Sequence, residues 1–464
     1  MWNLAGDKDT ICALSSAPGL GGIAVLRVSG PDAFEIVRRI SPGLNPEIKS
    51  HRIYKATIQD TEGQDLDEAL FSVFEEGRSY TGERTVEISC HGNPQIVAEA
   101  LKSLQVAGAR IAQPGEFTRR AFLNNRIDLI QAEAVLGLIE SRSKIAGRVA
   151  LRQLQGSTTR KILELEDDVL WLLARFEASI DFSLEDLPVL PRGEVEPRLD
   201  RVISGLRDLI GSYKAGRVIR EGLRVALLGR PNVGKSSTLN SLLGRERAIV
   251  NEAPGTTRDV IEVDCMWEGH LVTLVDTAGV RESQDPVEQE GVDRSRREIE
   301  NADLLVFLTD LEAPNPENEV ELLKGISAEK RVIVGTKADR ADEGRRREMK
   351  SLLEQTNGGA ESAIWVSNKT GEGLESLRKA VLRRAGLSAE TGESAGVTQA
   401  RQFECLSGAL EAMKRAEELW KTNASFEFTS LELREALSKL HEVLGKRFDD
   451  DIVDRIFKDF CIGK

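Results

Sequence analysis

Residues 229–236 read Gly-Arg-Pro-Asn-Val-Gly-Lys-Ser, and the apolar run Leu223-Arg-Val-Ala-Leu-Leu-Gly229 leads into them. Strand, glycine-rich turn and helix are the setting that a GxxxxGK[ST] phosphate loop requires. Its glycines let the backbone curl until several N–H groups face one anion. Lys235 brings a point charge to the outer phosphates, and Ser236 offers its hydroxyl to Mg²⁺. Four further segments follow in order. Gly255-Thr256-Thr257-Arg258-Asp259 precedes a hairpin predicted over Val260–Trp267 and Leu271–Asp276, and supplies a threonine for the metal and the γ-phosphate. In Leu274-Val-Asp276-Thr277-Ala278-Gly279, Asp276 ends a strand and holds the metal's water shell, while the Gly279 N–H approaches the γ-phosphate. Thr336-Lys337-Ala338-Asp339 follows the strand Arg331-Val-Ile-Val-Gly335. A carboxylate there accepts two N–H bonds from guanine N1 and N2, which adenine does not supply. Ser367-Asn368-Lys369 follows Ala363-Ile-Trp-Val and suits a base-contacting loop. Each segment alone is an ordinary turn. All five in this order imply a site that binds GTP.

Two positions depart from the usual pattern. Thr336 stands where the guanine motif has Asn, and the last segment is Ser-Asn-Lys rather than Ser-Ala-Lys. Both tune affinity; neither removes Asp339. Val280 stands where a Ras-type enzyme has its water-orienting Gln. Valine cannot orient water, so either hydrolysis is very slow or another group does the job. Downstream, Asp285-Pro-Val-Glu288-Gln-Glu290-Gly291 either supplies a carboxylate that positions the nucleophile or is a solvated acidic loop. The residues alone leave both readings open.

The elements that must hold these groups divide the chain. At 464 residues two to four domains are expected. Residues 1 to about 122 show short β-branched runs, at Gly22–Val28, Ala69–Phe74 and Thr85–Ser89, fitting an α+β domain. From about 125 to 220 the text is helical: Leu129, Ala132, Val135, Leu136, Leu138 and Ile139, then Leu163, Leu165, Val169, Leu170, Leu173 and Phe176. Leu187-Pro-Val-Leu-Pro191 breaks it. Beyond the GTPase segments and a Gly/Ser/Glu stretch at 388–396, helical spacing returns with Phe403, Leu406, Leu410, Met413 and Leu419. The simplest organisation is one helical domain interrupted by an inserted GTPase domain; two separate helical modules are the alternative.

The net charge of −13 gives no global attraction to nucleic acid. Arg142, Lys144, Arg148, Arg152, Arg160 and Lys161 on the predicted helices are either an RNA surface or a solvated face. Cys12, Cys90, Cys265, Cys405 and Cys461 are scattered without a CxxC pattern, and His51, His91, His270 and His441 lie far apart. A reducing compartment is expected, with no disulfide framework or zinc site. No 18-residue apolar run and no basic-plus-apolar leader occur, so neither a membrane span nor a signal peptide is expected.

Further strings carry a resemblance. They are Asp9-Thr-Ile-Cys-Ala-Leu-Ser-Ser-Ala-Pro18-Gly-Leu20-Gly21-Gly22, Ser79-Tyr-Thr-Gly82-Glu83, Pro114-Gly115-Glu116-Phe117-Thr-Arg-Arg, and the end, Phe460-Cys461-Ile462-Gly463-Lys464. With the GTPase set they resemble the tRNA modification GTPase MnmE (TrmE) family over essentially the whole length. The resemblance implies a multidomain α/β chain. Its expected parts are an N-terminal α+β folate-binding and dimerisation domain (1–122), a discontinuous α-helical domain (123–220 and 387–464) and an inserted Ras-like P-loop GTPase domain (221–386). It implies a cytoplasmic homodimer that places a (carboxymethyl)aminomethyl group on C5 of the tRNA wobble uridine. An MnmG-like partner using FAD and NADH would join it in a heterotetramer or larger complex, with 5,10-methylene- or 5-formyl-tetrahydrofolate as the one-carbon donor. A regulatory ribosome-assembly-type GTPase switch that binds RNA is the competing reading.

Carried over position by position, the implied GTP contacts are Asn232, Val233, Gly234, Lys235, Ser236 and Ser237; Asn251, Glu252, Ala253, Pro254, Gly255, Thr256 and Thr257; Asp276, Thr277, Ala278 and Gly279; Thr336, Lys337, Ala338 and Asp339; and Ser367, Asn368 and Lys369. Ser236 and Thr257 would hold Mg²⁺. Asn232, Asn251, Ala253 and Thr256 would hold K⁺, whose fixed charge replaces an inserted arginine. Glu288 would position the water. Folate contacts would be Arg27, Glu83, Arg126 and Lys464. Arg126 stands where the family often has Lys, and Leu20 where it usually has Arg.

Overall fold

The computed structural model describes residues 9–44, 49–181, 191–244, 260–277, 300–312, 327–356, 363–388, 396–448 and 450–464. The chain forms two compact units. One comprises Met1–Leu136, Gln153–Ile203 and Gly408–Lys464, the other Gly137–Arg152 and Ser204–Ser407.

The first unit opens with six strands: β1 (Ile11–Leu14), β2 (Gly21–Ser29), β3 (Arg52–Gln59), β4 (Asp65–Phe74), β5 (Thr85–Gly92) and β6 (Arg110–Ile111). They lie in the order β3-β4-β5-β2-β1-β6, antiparallel except for the parallel β1–β6 pair. The three runs expected from the sequence lie within β2, β4 and β5. Alternation explains the inner face. Ala24, Leu26 and Val28 of β2 and Val86, Ile88 and Cys90 of β5 are buried, under Ile36 and Val37 of helix Ala33–Ile40 and Leu104 of helix Pro94–Val106. Pairing of β2 with β5 sets Arg27 opposite Glu87.

The helical part of this unit is built on Ser157–Asp181. Its buried stripe is Ile162, Leu165, Val169, Leu172, Leu173 and Phe176. Leu163 and Leu170, which the three-and-four spacing includes as core, are exposed, as is Ile139 of helix Leu129–Glu140. Leu163 and Leu170 are two turns apart, so they share a face, and that face turns to solvent. The stripe packs against helices beyond the GTPase segments. The Phe176 ring lies edge-on to Trp420 of Ala400–Lys421 and to Phe426 of Phe426–Leu444, both at 5.5 Å. Buried Glu166 accepts bonds from Lys446 at 2.6 and 2.7 Å and pairs with His441 at 3.0 Å. The helical domain is therefore discontinuous in sequence and shares one core.

The second unit holds β7 (Leu223–Leu228), β8 (Val260–Trp267), β9 (His270–Thr277), β10 (Leu304–Asp310), β11 (Arg331–Thr336) and β12 (Ile364–Trp365), in the order β12-β11-β10-β7-β9-β8. All neighbours are parallel except the edge hairpin β8–β9. The unbroken apolar runs of β7, β10 and β11 reflect burial on both faces. Val225 and Leu227 face helices Lys235–Leu243 and Leu374–Arg384; Ala226 and Leu228 face Glu343–Thr356. Such a sheet places its ligand at the carboxyl ends of the strands, where every described GTPase segment lies. Among the described residues no helix is long and apolar enough to cross a membrane, and all five cysteines are free.

Candidate functional site

At the end of β7 the chain turns through Gly229, where a Cβ would sit 2.5 Å from the Leu308 carbonyl oxygen of β10. Asn232 (φ 63°) and Gly234 (φ 100°) follow in the left-handed region, and helix Lys235–Leu243 starts at once. The loop thus presents successive N–H groups beside a helix N-terminus, an anion cradle. Lys235 folds back across it, its Nζ donating to the carbonyls of Gly229 at 2.9 Å and Arg230 at 3.2 Å. Burial pulls the Lys235 ammonium below the ordinary lysine value, with the Asp276 charge working against it. An anion in the loop would restore the charged form.

Parallel pairing of β7 with β9 sets Asp276 beside Leu227, one turn of chain from the loop. Ser236 Oγ donates to Asp276 Oδ2 at 2.9 Å. Asp276 Oδ1 is buried and has no hydrogen-bond partner among the described residues. A buried acceptor left unmade costs about 1–3 kcal/mol, and a metal-bound water would satisfy it. Hydroxyl plus carboxylate is an all-oxygen donor set of the kind Mg²⁺ takes, so these residues fit that ion.

The base side is assembled by β11 and β12. Thr336 is buried, its hydroxyl 2.8 Å from the Val233 carbonyl and 3.1 Å from that of Thr309. It donates to one of them at a time and joins the phosphate loop to β10. Lys337 (φ 59°) reaches Asp310 at 2.5 Å. Asp339 is exposed and accepts the Ser367 hydroxyl at 2.7 Å, which holds its carboxyl below the ordinary aspartate value. Asn368 Nδ2 donates to Thr238 Oγ1 of the loop helix at 2.9 Å. Val233 and Ala338 are buried; Ser237 and Lys369 are exposed. Asn251, Glu252, Ala253, Pro254, Gly255, Thr256, Thr257, Ala278, Gly279, Val280 and Glu288 lie outside the described residues, as does the side chain of Thr277.

A second polar site lies in the first unit, around loop 79–83 and helix Glu116–Leu123. Arg27 donates to Glu87 Oε1 from Nε at 3.0 Å and Nη2 at 2.8 Å, and its guanidinium sits 5.4 Å from the ring centres of both Tyr80 and Phe117. Glu83 accepts Ser29 Oγ at 2.7 Å and Arg120 Nη1 at 3.1 Å. Burial pushes its carboxyl above the ordinary glutamate value, with Arg120 opposing. Exposed Arg126 lies against Gly82. Lys464 arrives with the C-terminal tail. Its carbonyl accepts Phe117 N–H at 3.2 Å, Cys461 accepts Gly115 N–H at 3.3 Å, and Gly463 accepts Ser15 Oγ at 3.0 Å. Gly463 has φ 94°, and a Cβ there would stand 2.0 Å from the Leu14 carbonyl oxygen. All four candidate folate residues thus touch the loop, the helix or both. Sequence reasoning missed Glu87, a cross-strand partner that only the β2–β5 register reveals. It also missed the buried network in which Arg120 bonds Asp9 at 2.7 Å and Glu116 at 3.0 Å, while Arg110 bonds the same two carboxylates. The Glu116–Arg120 spacing of four on a helix was its one sequence signal.

A family model described as the GTP-binding protein TrmE N-terminus matches residues 10–126, and one described as the MnmE helical domain matches residues 129–461. The tRNA modification GTPase MnmE of Bdellovibrio bacteriovorus is 43% identical over 99% of this chain and 98% of its own. That of Aquifex aeolicus is 39% identical over 98% of this chain and all of its own. Among solved structures, the G domain of the T. maritima FeoB iron transporter is similar over 35% of this chain and 98% of its own, at 30% identity and a TM-score of 0.28.

Proposed function

The chain belongs to the MnmE family of tRNA modification GTPases, and on that premise we propose how its two sites divide the work. GTP hydrolysis at the phosphate loop drives a conformational cycle that permits modification of C5 of the tRNA wobble uridine. The single observation that carries the GTPase half is the corner where Ser236, Asp276 with its orphaned Oδ1, and Lys235 converge at the end of β7 and β9. There the loop N–H groups and Lys235 would bind the phosphates, Ser236 and Thr257 would hold Mg²⁺, and Asp276 would hold the ion's water shell. When bound, Mg²⁺ spreads the charge of the outer phosphates. Asp339, oriented by Ser367, selects guanine. Asn232, Thr256 and the backbone at Asn251 and Ala253 take K⁺, and Glu288 orients water in place of the missing Gln. Two GTPase domains of a cytoplasmic homodimer meet to complete this arrangement.

The N-terminal site takes a tetrahydrofolate one-carbon donor. A pterin ring offers N–H donors for Glu83 and a flat face for Arg27, Tyr80 and Phe117. A folate tail offers carboxylates for Arg126 and Lys464. An MnmG-like flavoprotein supplies the FAD and NADH chemistry. The domain limits 1–122, 123–220, 221–386 and 387–464 are proposed with this reading. Its test is GTP turnover in KCl against NaCl at equal ionic strength. The rate rises in KCl; equal rates would remove the monovalent cation and the dimer arrangement built on it.

A further inference from the structure

Between Glu140 and Glu164 the chain has no acidic residue and six basic ones, within a protein of net charge −13. The helix Lys144–Leu154 carries the first part of that stretch. Its inner face is fixed: Ala146 and Val149 enter the core beneath the parallel sheet, and Ile145 packs against Gly269 in the β8–β9 turn. Its outer face carries Lys144, Arg148 and Leu151, all exposed. Lys144 and Arg148 have no acidic partner among the described residues. Three other exposed helical cations, Arg39, Arg347 and Lys421, pair with a carboxylate four residues away on their own helix, Glu35, Glu343 and Glu417. At the helix start Arg142 touches Asp264 at 3.3 Å yet stays 58% exposed.

Two like charges four residues apart on a helix repel by a few tenths of a kcal/mol, and no carboxylate among the described residues offsets that. The ridge contains one exposed apolar side chain, Leu151. A protein interface wants an apolar, lysine-poor centre, so this face suits a polyanion better than a protein. Lys144 and Arg148 are spaced about 6 Å along the helix axis, which lets each meet its own phosphate. We propose that the outer face of helix Lys144–Leu154, with Arg142 at its start, docks the phosphate backbone of the tRNA substrate. The proposal rests on the tRNA modification reading and names the surface that serves it.

The test is equilibrium binding of an unmodified tRNA transcript to the full chain with a GTP analogue, across 50–200 mM KCl. Wild type is compared with Lys144→Gln/Arg148→Gln and with the charge-keeping Lys144→Arg/Arg148→Lys. Each phosphate contact contributes about 0.7–0.9 to the slope of log affinity on log salt. The Gln pair lowers that slope by about 1.4–1.8 and weakens binding roughly 25- to 60-fold at 0.1 M salt. The charge-keeping pair binds like wild type, and tRNA-free GTP turnover is unchanged in both. A Gln pair with wild-type slope and affinity overturns the surface while leaving the tRNA reading intact. Loss of flavoprotein binding with tRNA binding retained also overturns it. Wild type that binds no tRNA at any salt removes both.

Discussion

Gly463→Ala is the sharpest probe of the tail that brings Lys464 to the N-terminal site. Gly463 sits at φ 94°, where an L side chain costs roughly 1–2 kcal/mol. The added Cβ would also lie 2.0 Å from the Leu14 carbonyl oxygen, so the backbone must move. Three hydrogen bonds hold the tail, from Ser15, Gly115 and Phe117. At about 0.5–1.5 kcal/mol net each they contribute roughly 1.5–4.5 kcal/mol. The backbone strain alone reaches the lower end of that anchorage, so the docking constant falls by about five- to thirtyfold. Hydrogen exchange at the Gly115 and Phe117 amides accelerates accordingly. Affinity for 5-formyl-tetrahydrofolate drops by up to the same factor, while GTP binding by the other unit stays unchanged. Unaltered protection of those two amides, together with an unchanged folate titration, would show that the tail docks without depending on Gly463.

Two further outcomes are expected. Asp339→Asn exchanges an acceptor-only carboxylate for an amide and loses two charge-assisted bonds to guanine, each worth about 1.5–3 kcal/mol; GTP affinity falls at least a hundredfold and xanthosine triphosphate binds better, as competition titrations would read. Undiminished guanine preference would reassign the base contact. Glu83 has a folded-state pKa raised by burial above the ordinary 4.5. The folded chain holds this proton more tightly than the unfolded one, so the stabilising effect is full below that value and fades as pH rises through the raised pKa. Denaturant midpoints measured from pH 4.5 toward about pH 7 therefore decline more in wild type than in Glu83→Gln; parallel curves would count against a buried, upward-shifted carboxyl.

What the sequence made legible follows from period and local rule. The phosphate loop announces itself because glycine, lysine and serine at fixed offsets answer one anion's geometry. The parallel strands show because burial on both faces leaves unbroken apolar runs. The helix Ser157–Asp181 was legible as a helix, yet Leu163 and Leu170 read as core although they face water: a leucine-rich helix does not say which of its stripes is covered. The Arg27–Glu87 pair and the Asp9–Glu116–Arg120 network depend on strand register and on chain segments about a hundred residues apart meeting. No local pattern encodes that. The role of Thr336 likewise needed the position of the Val233 carbonyl.

On the proposed function, GTP hydrolysis at the Lys235–Ser236–Asp276 corner drives wobble-uridine modification. Mass spectrometry of tRNA nucleosides tests it in cells that carry either the wild-type chain or Asp276→Ala as their only copy. C5-modified wobble uridine in the wild type and its loss in the variant is the predicted result; full modification supported by a variant shown to hydrolyse no GTP would contradict it.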